Sequence, residues 1–101
     1  MNEVKKVVGK VRKEVSELQK LQALFNKNYD KIYKNEYSKD MVLRIKFCEI
    51  SHQYSTTFGV LILIDKAFQK KVQQFVAFRG DVLSSDRECA AFVAAYYGKK
   101  L

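Results

Sequence analysis

Few residues in this chain have types and spacings that could carry chemistry. Cys48 and His52, four positions apart, offer a thiol and an imidazole, the pair from which a nucleophile and its base are made. The sequence reads as a strand running into a loop at that point. Such a path does not bring the two side chains together, and no acid stands nearby to orient the imidazole. Cys89 lies 41 positions beyond Cys48, neither thiol belongs to a C-x-x-C pair, and His52 is the only histidine. No set of about four nitrogen and sulfur ligands exists, so neither a metal nor a cofactor is expected. Asp86 and Glu88 are the one close pair of acids, and their place at the start of a helix explains them. The four glycines, at 9, 59, 80 and 98, are isolated, which excludes a glycine-rich phosphate loop. The inventory points to binding and away from catalysis.

Charge is the stronger signal. Nineteen Lys and Arg against 11 Asp and Glu give a net charge of +8, spread along the chain and not gathered in a tail. A surface of that sign attracts nucleic acid, acidic protein or anionic lipid. No apolar run approaches the roughly 18 residues of a membrane span, so insertion into a bilayer is not expected. At the N-terminus, Val4, Val7, Val8, Val11 and Val15 are interleaved with Lys5, Lys6, Lys10, Arg12 and Lys13. That order is not a secretory signal, and Glu3, Glu14 and Glu17 speak against a transit segment. With two unpaired-looking cysteines in apolar patterns, a reducing intracellular compartment, cytoplasmic or organellar, is the expectation.

The elements that position these residues follow from periodicity. Apolar residues at Val4, Val8, Val11, Val15, Leu18, Phe25, Tyr29 and Ile32 recur in alternating steps of four and three, with Gln22 the polar exception. This predicts an N-terminal helical segment over 1–37 with a heptad seam, widened by Val7, Leu21 and Leu24. The seam, above all Val4, Val8, Val11, Val15 and Leu18, either docks a protein partner or a second copy, or packs on the chain's own sheet. From Met41 the pattern changes to period two, with Met41, Leu43, Ile45 and Phe47 alternating with Arg44, Lys46 and Cys48, which predicts a strand over 41–50. Phe58 to Ile64, apolar on both sides and rich in β-branched residues, reads as a central strand. Asp65 to Lys71 reads as a hairpin loop and Val72 to Arg79 as a third strand, with a helix over 66–78 as the competing reading because Phe68, Val72, Phe75 and Val76 have near-helical spacing. Ser84 or Ser85 caps a final helix that ends at Gly98, with Lys99 and Lys100 at its negative end. The expected fold is α+β, in the order α-β-β-β-α: a long N-terminal helix, a three-stranded antiparallel sheet and a C-terminal helix. The ββ-β-α core spans 38–101, and with the first helix it forms one compact domain.

That order resembles the double-stranded RNA-binding domain over the C-terminal ~60 residues. Phe58–Asp65 is similar to the family's second strand, Gln74–Gly80 to its third, and Ser85–Tyr96 to its second helix. The resemblance places His52 in the loop that enters the RNA minor groove. Asp86-Arg87-Glu88 stands where the family has a lysine-rich helix start, leaving Arg87 as the basic residue there. The element order also resembles the Alu-domain subunits of the signal recognition particle, which bind RNA on an exposed sheet face and pair as dimers. These resemblances imply an RNA-binding module, for double-stranded or structured RNA, as a small ribonucleoprotein or ribosome-associated subunit. The candidate contacts are His52, Arg79, Arg87, Lys66, Lys70, Lys71, Arg44 and Lys46. The alternative is a non-catalytic interaction or dimerisation domain that uses the N-terminal helix.

Overall fold

A computed structural model describes residues 2–98, and side chains from Glu3 onward. It contains four helices: α1 (Asn2–Glu36), α2 (Met41–Ile64), α3 (Lys66–Arg79) and α4 (Asp86–Tyr97). No strand occurs among the described residues. The expected α+β fold is therefore wrong. All three predicted strands, over 41–50, 58–64 and 72–79, are helical, as are the supposed connection over 51–57 and most of the hairpin loop over 65–71. The competing helical reading of 66–78 matches α3. Without a sheet, both family resemblances lose the element on which they rest. Lys99 and Lys100 lie outside the described residues.

Two aspartates mark where the helices begin. Asp40, in extended conformation, accepts hydrogen bonds from the backbone N–H groups of Val42 (3.0 Å) and Leu43 (3.2 Å), capping α2. Asp65 ends α2 and at once caps α3, accepting from the N–H of Phe68 at 3.0 Å. No proline interrupts the stretch between them. Along α2, Leu43, Phe47, Ser51, Tyr54, Phe58 and Leu61 are buried or half-buried, in steps of four and three, with Ile62 beside them. The period-two pattern of Met41 to Phe47 arises because both sides of this helix carry apolar residues there. Gly80 closes α3 in the left-handed conformation (φ 81°), where a side chain would be strained, and Gly98 closes α4 in the same way (φ 66°).

Helix α4 is the centre of the molecule. Ala90 to Ala95 are all buried, on every side of the helix. A helix apolar all round belongs inside a core, and its four alanines let neighbouring helices approach closely. Around it, Phe68, Phe75 and Phe92 are fully buried, with Phe92 5.1 Å from Phe75 and 5.6 Å from Phe68 between ring centroids. Phe25 of α1 completes the cluster, 5.1 Å from Phe75. Edge-to-face and tilted aromatic pairs of this kind add about 0.5–1.5 kcal/mol each beyond burial.

The body uses only part of α1. Leu21, Phe25 and Ile32 enter the core, whereas every residue from Glu3 to Glu17 is exposed. At 1.5 Å per residue, 35 residues make a rod of roughly 52 Å, and the molecule measures 61 × 27 × 22 Å. The first half of α1 therefore projects from the body as a free arm.

Candidate functional site

Polar locks hold the elements that carry the expected contact residues. Arg79, at the end of α3, reaches across to α4: its Nη2 donates to Glu88 Oε1 at 2.9 Å and to the carbonyl of Val82 at 3.3 Å. Its guanidinium lies 5.5 Å from the centre of the Phe25 ring. Both side chains of the Arg79–Glu88 pair are only 17% exposed. Glu88 also accepts from the N–H of Ser84 at 3.0 Å, while its own N–H donates to the capping Ser85 Oγ at 3.2 Å. Arg87 faces Glu36 of α1 at 3.0 Å and stacks 5.4 Å from the Tyr33 ring centre. Burial works against the charge on Arg87, but Glu36, helped by Tyr29 and Tyr37, outweighs it and raises its pKa above the ordinary value. Both arginines thus spend their charge inside the molecule, tying α3 to α4 and α4 to α1.

The remaining expected contacts are scattered. Arg44 caps the C-terminus of α1, its Nε donating to the carbonyl of Glu36 at 3.0 Å. Lys46 and His52 are exposed on α2, Lys66 and Lys70 are exposed on α3, and Lys71 is half-buried there. Of the eight, only His52 and Arg87 share a cleft, a hollow of about 380 Å³ whose lining also includes Cys48, Ser51, Glu36 and Asp86.

That cleft holds Cys48 and His52 together. On a helix, positions four apart lie on one face, so the thiol and imidazole do line a common hollow. Among the described residues no hydrogen bond joins the His52 ring to a carboxylate, and Asp86 is engaged by Ser55, whose Oγ donates to Asp86 Oδ1 at 2.9 Å. No group of three or more His, Cys, Asp or Glu gathers at metal-binding distance among the described residues. No described helix is long and apolar enough to cross a membrane.

The free arm is the feature that the body does not explain. Val4, Val7, Val8, Val11 and Val15 are exposed to between 66% (Val4) and 38% (Val15), and Leu18, where the arm meets the body, is half-buried. All five valines fall in one sector of the helix, continuous with the Leu21–Phe25–Ile32 stripe that is buried farther along. The arm leaves the body at a defined end. Leu24 and Lys27 of α1 line a hollow with Ala94, Ala95 and Gly98, so α1 and α4 run antiparallel. The Tyr97 hydroxyl, at the C-terminus of α4, donates to Asp65 Oδ2 at 3.1 Å, which puts the α2–α3 junction at the same end. There Leu63, 84% exposed, and Ile64 add a second apolar surface. The sequence places both residues in a central strand, with Leu63 on a sheet face, and not at a helix junction.

Compared with protein-family models, curated proteins and solved structures, the chain finds no match in any of the three.

Proposed function

We propose that this protein is a non-catalytic interaction module that pairs with a second copy of itself through the arm of α1. The single observation that carries this reading is the row of exposed valines on a helix whose other half is buried by the same stripe. A contiguous apolar face left in water on a projecting helix marks a contact surface. In heptad terms Val8 and Val15 occupy a positions, and Val4, Val11 and Leu18 occupy d positions. Two parallel strands are favoured by a β-branched residue at a with Leu at d, the combination that Val15 and Leu18 supply, and parallel pairing aligns each g position with an e position of the other helix. Here that sets Val7 beside Arg12 and Glu14 beside Gln19, with no like charges opposed. The lysines at 6 and 13 fall on the outer face and stay in solvent.

Sedimentation velocity over a range of concentrations tests this. The wild-type chain shifts from monomer to dimer as concentration rises, and the variant carrying Val8→Asp and Val11→Asp stays monomeric with unchanged body helicity. A wild-type chain that remains monomeric at its highest soluble concentration contradicts the proposal.

The RNA reading, now without its sheet, keeps the support of the net charge of +8. His52, Arg79, Arg87, Lys66, Lys70, Lys71, Arg44 and Lys46 do not converge on one surface, and the three arginines are engaged within the molecule. Nucleic acid would have to be met by other residues.

A further inference from the structure

Helix α1 carries a lysine at every seventh position: Lys6, Lys13, Lys20, Lys27 and Lys34. All five are exposed, on the side away from the valine seam and the buried Leu21, Phe25 and Ile32, with Lys27 at the rim of the hollow shared with α4. Seven residues advance about 10.5 Å along a helix, so the five ammonium groups form a line of roughly 42 Å. Seven-residue steps drift by only ~20° each, which keeps the line within a sector of about 80°. Lys10 and Lys31 lie on the same side, and Glu3, Glu17 and Asp30 are the acids that border it. The described ion pairs are all made by arginines, so these lysines are not neutralised by a carboxylate at contact distance.

We infer that this lysine line is a binding site for the phosphate backbone of duplex nucleic acid. A duplex presents a long, regular row of single-sign charge and asks only for cations along it, with no apolar pocket. About 42 Å matches about a dozen base pairs at 3.4 Å per phosphate along each strand. A membrane surface could engage only the arm, where the valines lie opposite Lys6 and Lys13 as an interfacial helix requires. Beside Lys27 and Lys34 the apolar stripe is buried in the body, so lipid would not meet the line as a whole. A folded protein partner would need anchors within the line, and Leu24 at its border is the only large apolar residue there. Because the seam and the lysine line occupy opposite faces, the arm can hold a second copy and nucleic acid together. The inference does not depend on that pairing.

The test is a fluorescence anisotropy titration of the full chain against ~20-base-pair RNA and DNA duplexes, with single-stranded RNA and anionic phospholipid vesicles as comparison arms, at several salt concentrations. Five phosphate contacts predict a log–log salt slope of about −4.5 per chain on B-DNA, a loss of ~500-fold between 50 and 200 mM salt. The triple variant Lys13→Gln, Lys20→Gln, Lys27→Gln lowers the slope to about −2. A control with Lys46→Gln, Lys66→Gln, Lys70→Gln removes the same charge from exposed sites off the line and leaves the slope nearly unchanged. Circular dichroism checks that both variants fold. Equal losses in the two variants mean diffuse attraction to a basic surface and overturn the site, as does binding to vesicles but not duplex. Preference for RNA over DNA duplex, or the reverse, identifies the source of the phosphates. A wild-type chain that binds neither duplex at low salt ends the proposal.

Discussion

The two halves of α1 are built on the same stripe and have opposite fates. From Leu21 to Ile32 the stripe is buried against α3 and α4. From Val4 to Val15 the same spacing faces water. The difference lies in what stands opposite, since α4 has only 12 residues and its neighbours end at the same level. Length, more than local sequence, decides which part of a heptad pattern becomes core and which remains available to a partner. In the body, stability comes from tertiary packing. In the arm, a lone helix of about four turns has little to hold it except pairing.

The sharpest way to break this contrast is to truncate matched apolar residues on the two sides of it. Phe92→Ala removes a fully buried ring from the middle of the aromatic cluster and should cost about 3–5 kcal/mol, read as a large fall in the thermal midpoint by circular dichroism. Val8→Ala on the arm should change the monomer by less than about 0.5 kcal/mol while weakening self-association. Next in size is the lock between α3 and α4. Arg79→Ala leaves Glu88 half-desolvated without its partner and should cost about 1–3 kcal/mol in urea unfolding, and the double change with Glu88→Gln should cost less than the two singles added. Deletion of residues 2–15 should leave the unfolding free energy of the dilute protein within about 0.5 kcal/mol of the full chain, with a loss of helical signal matching the arm. At higher concentration the full chain alone should melt later.

The smallest effect is on pH dependence. Burial raises the pKa of the Cys89 thiol, with Asp86 and Glu88 adding to it. Burial likewise raises that of Tyr97, reinforced by its hydrogen bond to Asp65 and by the Asp65 charge and Tyr96. In both cases the folded chain holds the proton more tightly than the unfolded one. Their contribution to stability is complete below the unfolded values, about 8.5 for Cys and about 10 for Tyr, and is lost as pH climbs through the raised ones. The body should therefore weaken from about pH 9 upward, and Tyr97→Phe should flatten the upper part of that decline. At neutral pH the exposed Cys48 should react with a maleimide well before the half-buried Cys89.

The ends of the chain were legible in the sequence because their signals agree. Ser85 caps α4, Glu88 follows at the third position and Gly98 stops it, and all three do so in the structure. The heptad seam likewise specified α1 to within a residue of its end. The middle failed because apolar residues there satisfy two periods at once: Met41 to Phe47 alternates, yet Leu43, Phe47, Ser51 and Tyr54 also make a helical face. The β-branched run from Val60 to Ile64 favours strand locally, and the packing of Leu61 and Ile62 on the core overrides that preference. Asp40 and Asp65, each two or three residues before the N–H groups it caps, were the signals that could have found α2 and α3. For the site, the seam was visible, but its availability was not, because exposure depends on how far the body reaches along α1. The seven-residue repeat of lysine is fully present in the sequence. Arg79 and Arg87 look free for phosphate in the sequence, which shows charge and not the Glu88 and Glu36 that meet it.

The central claim, that the arm pairs in parallel along its valine face, is tested most directly by site-specific oxidation in a Cys48→Ser background. Val11→Cys places a thiol on the seam, and Ser16→Cys places one on the outer face of the same arm. The account predicts that Val11→Cys forms a disulfide-linked dimer rapidly under mild oxidation while Ser16→Cys stays monomeric. Equal crosslinking of the two, or none at position 11 at concentrations that saturate any self-association, would contradict it.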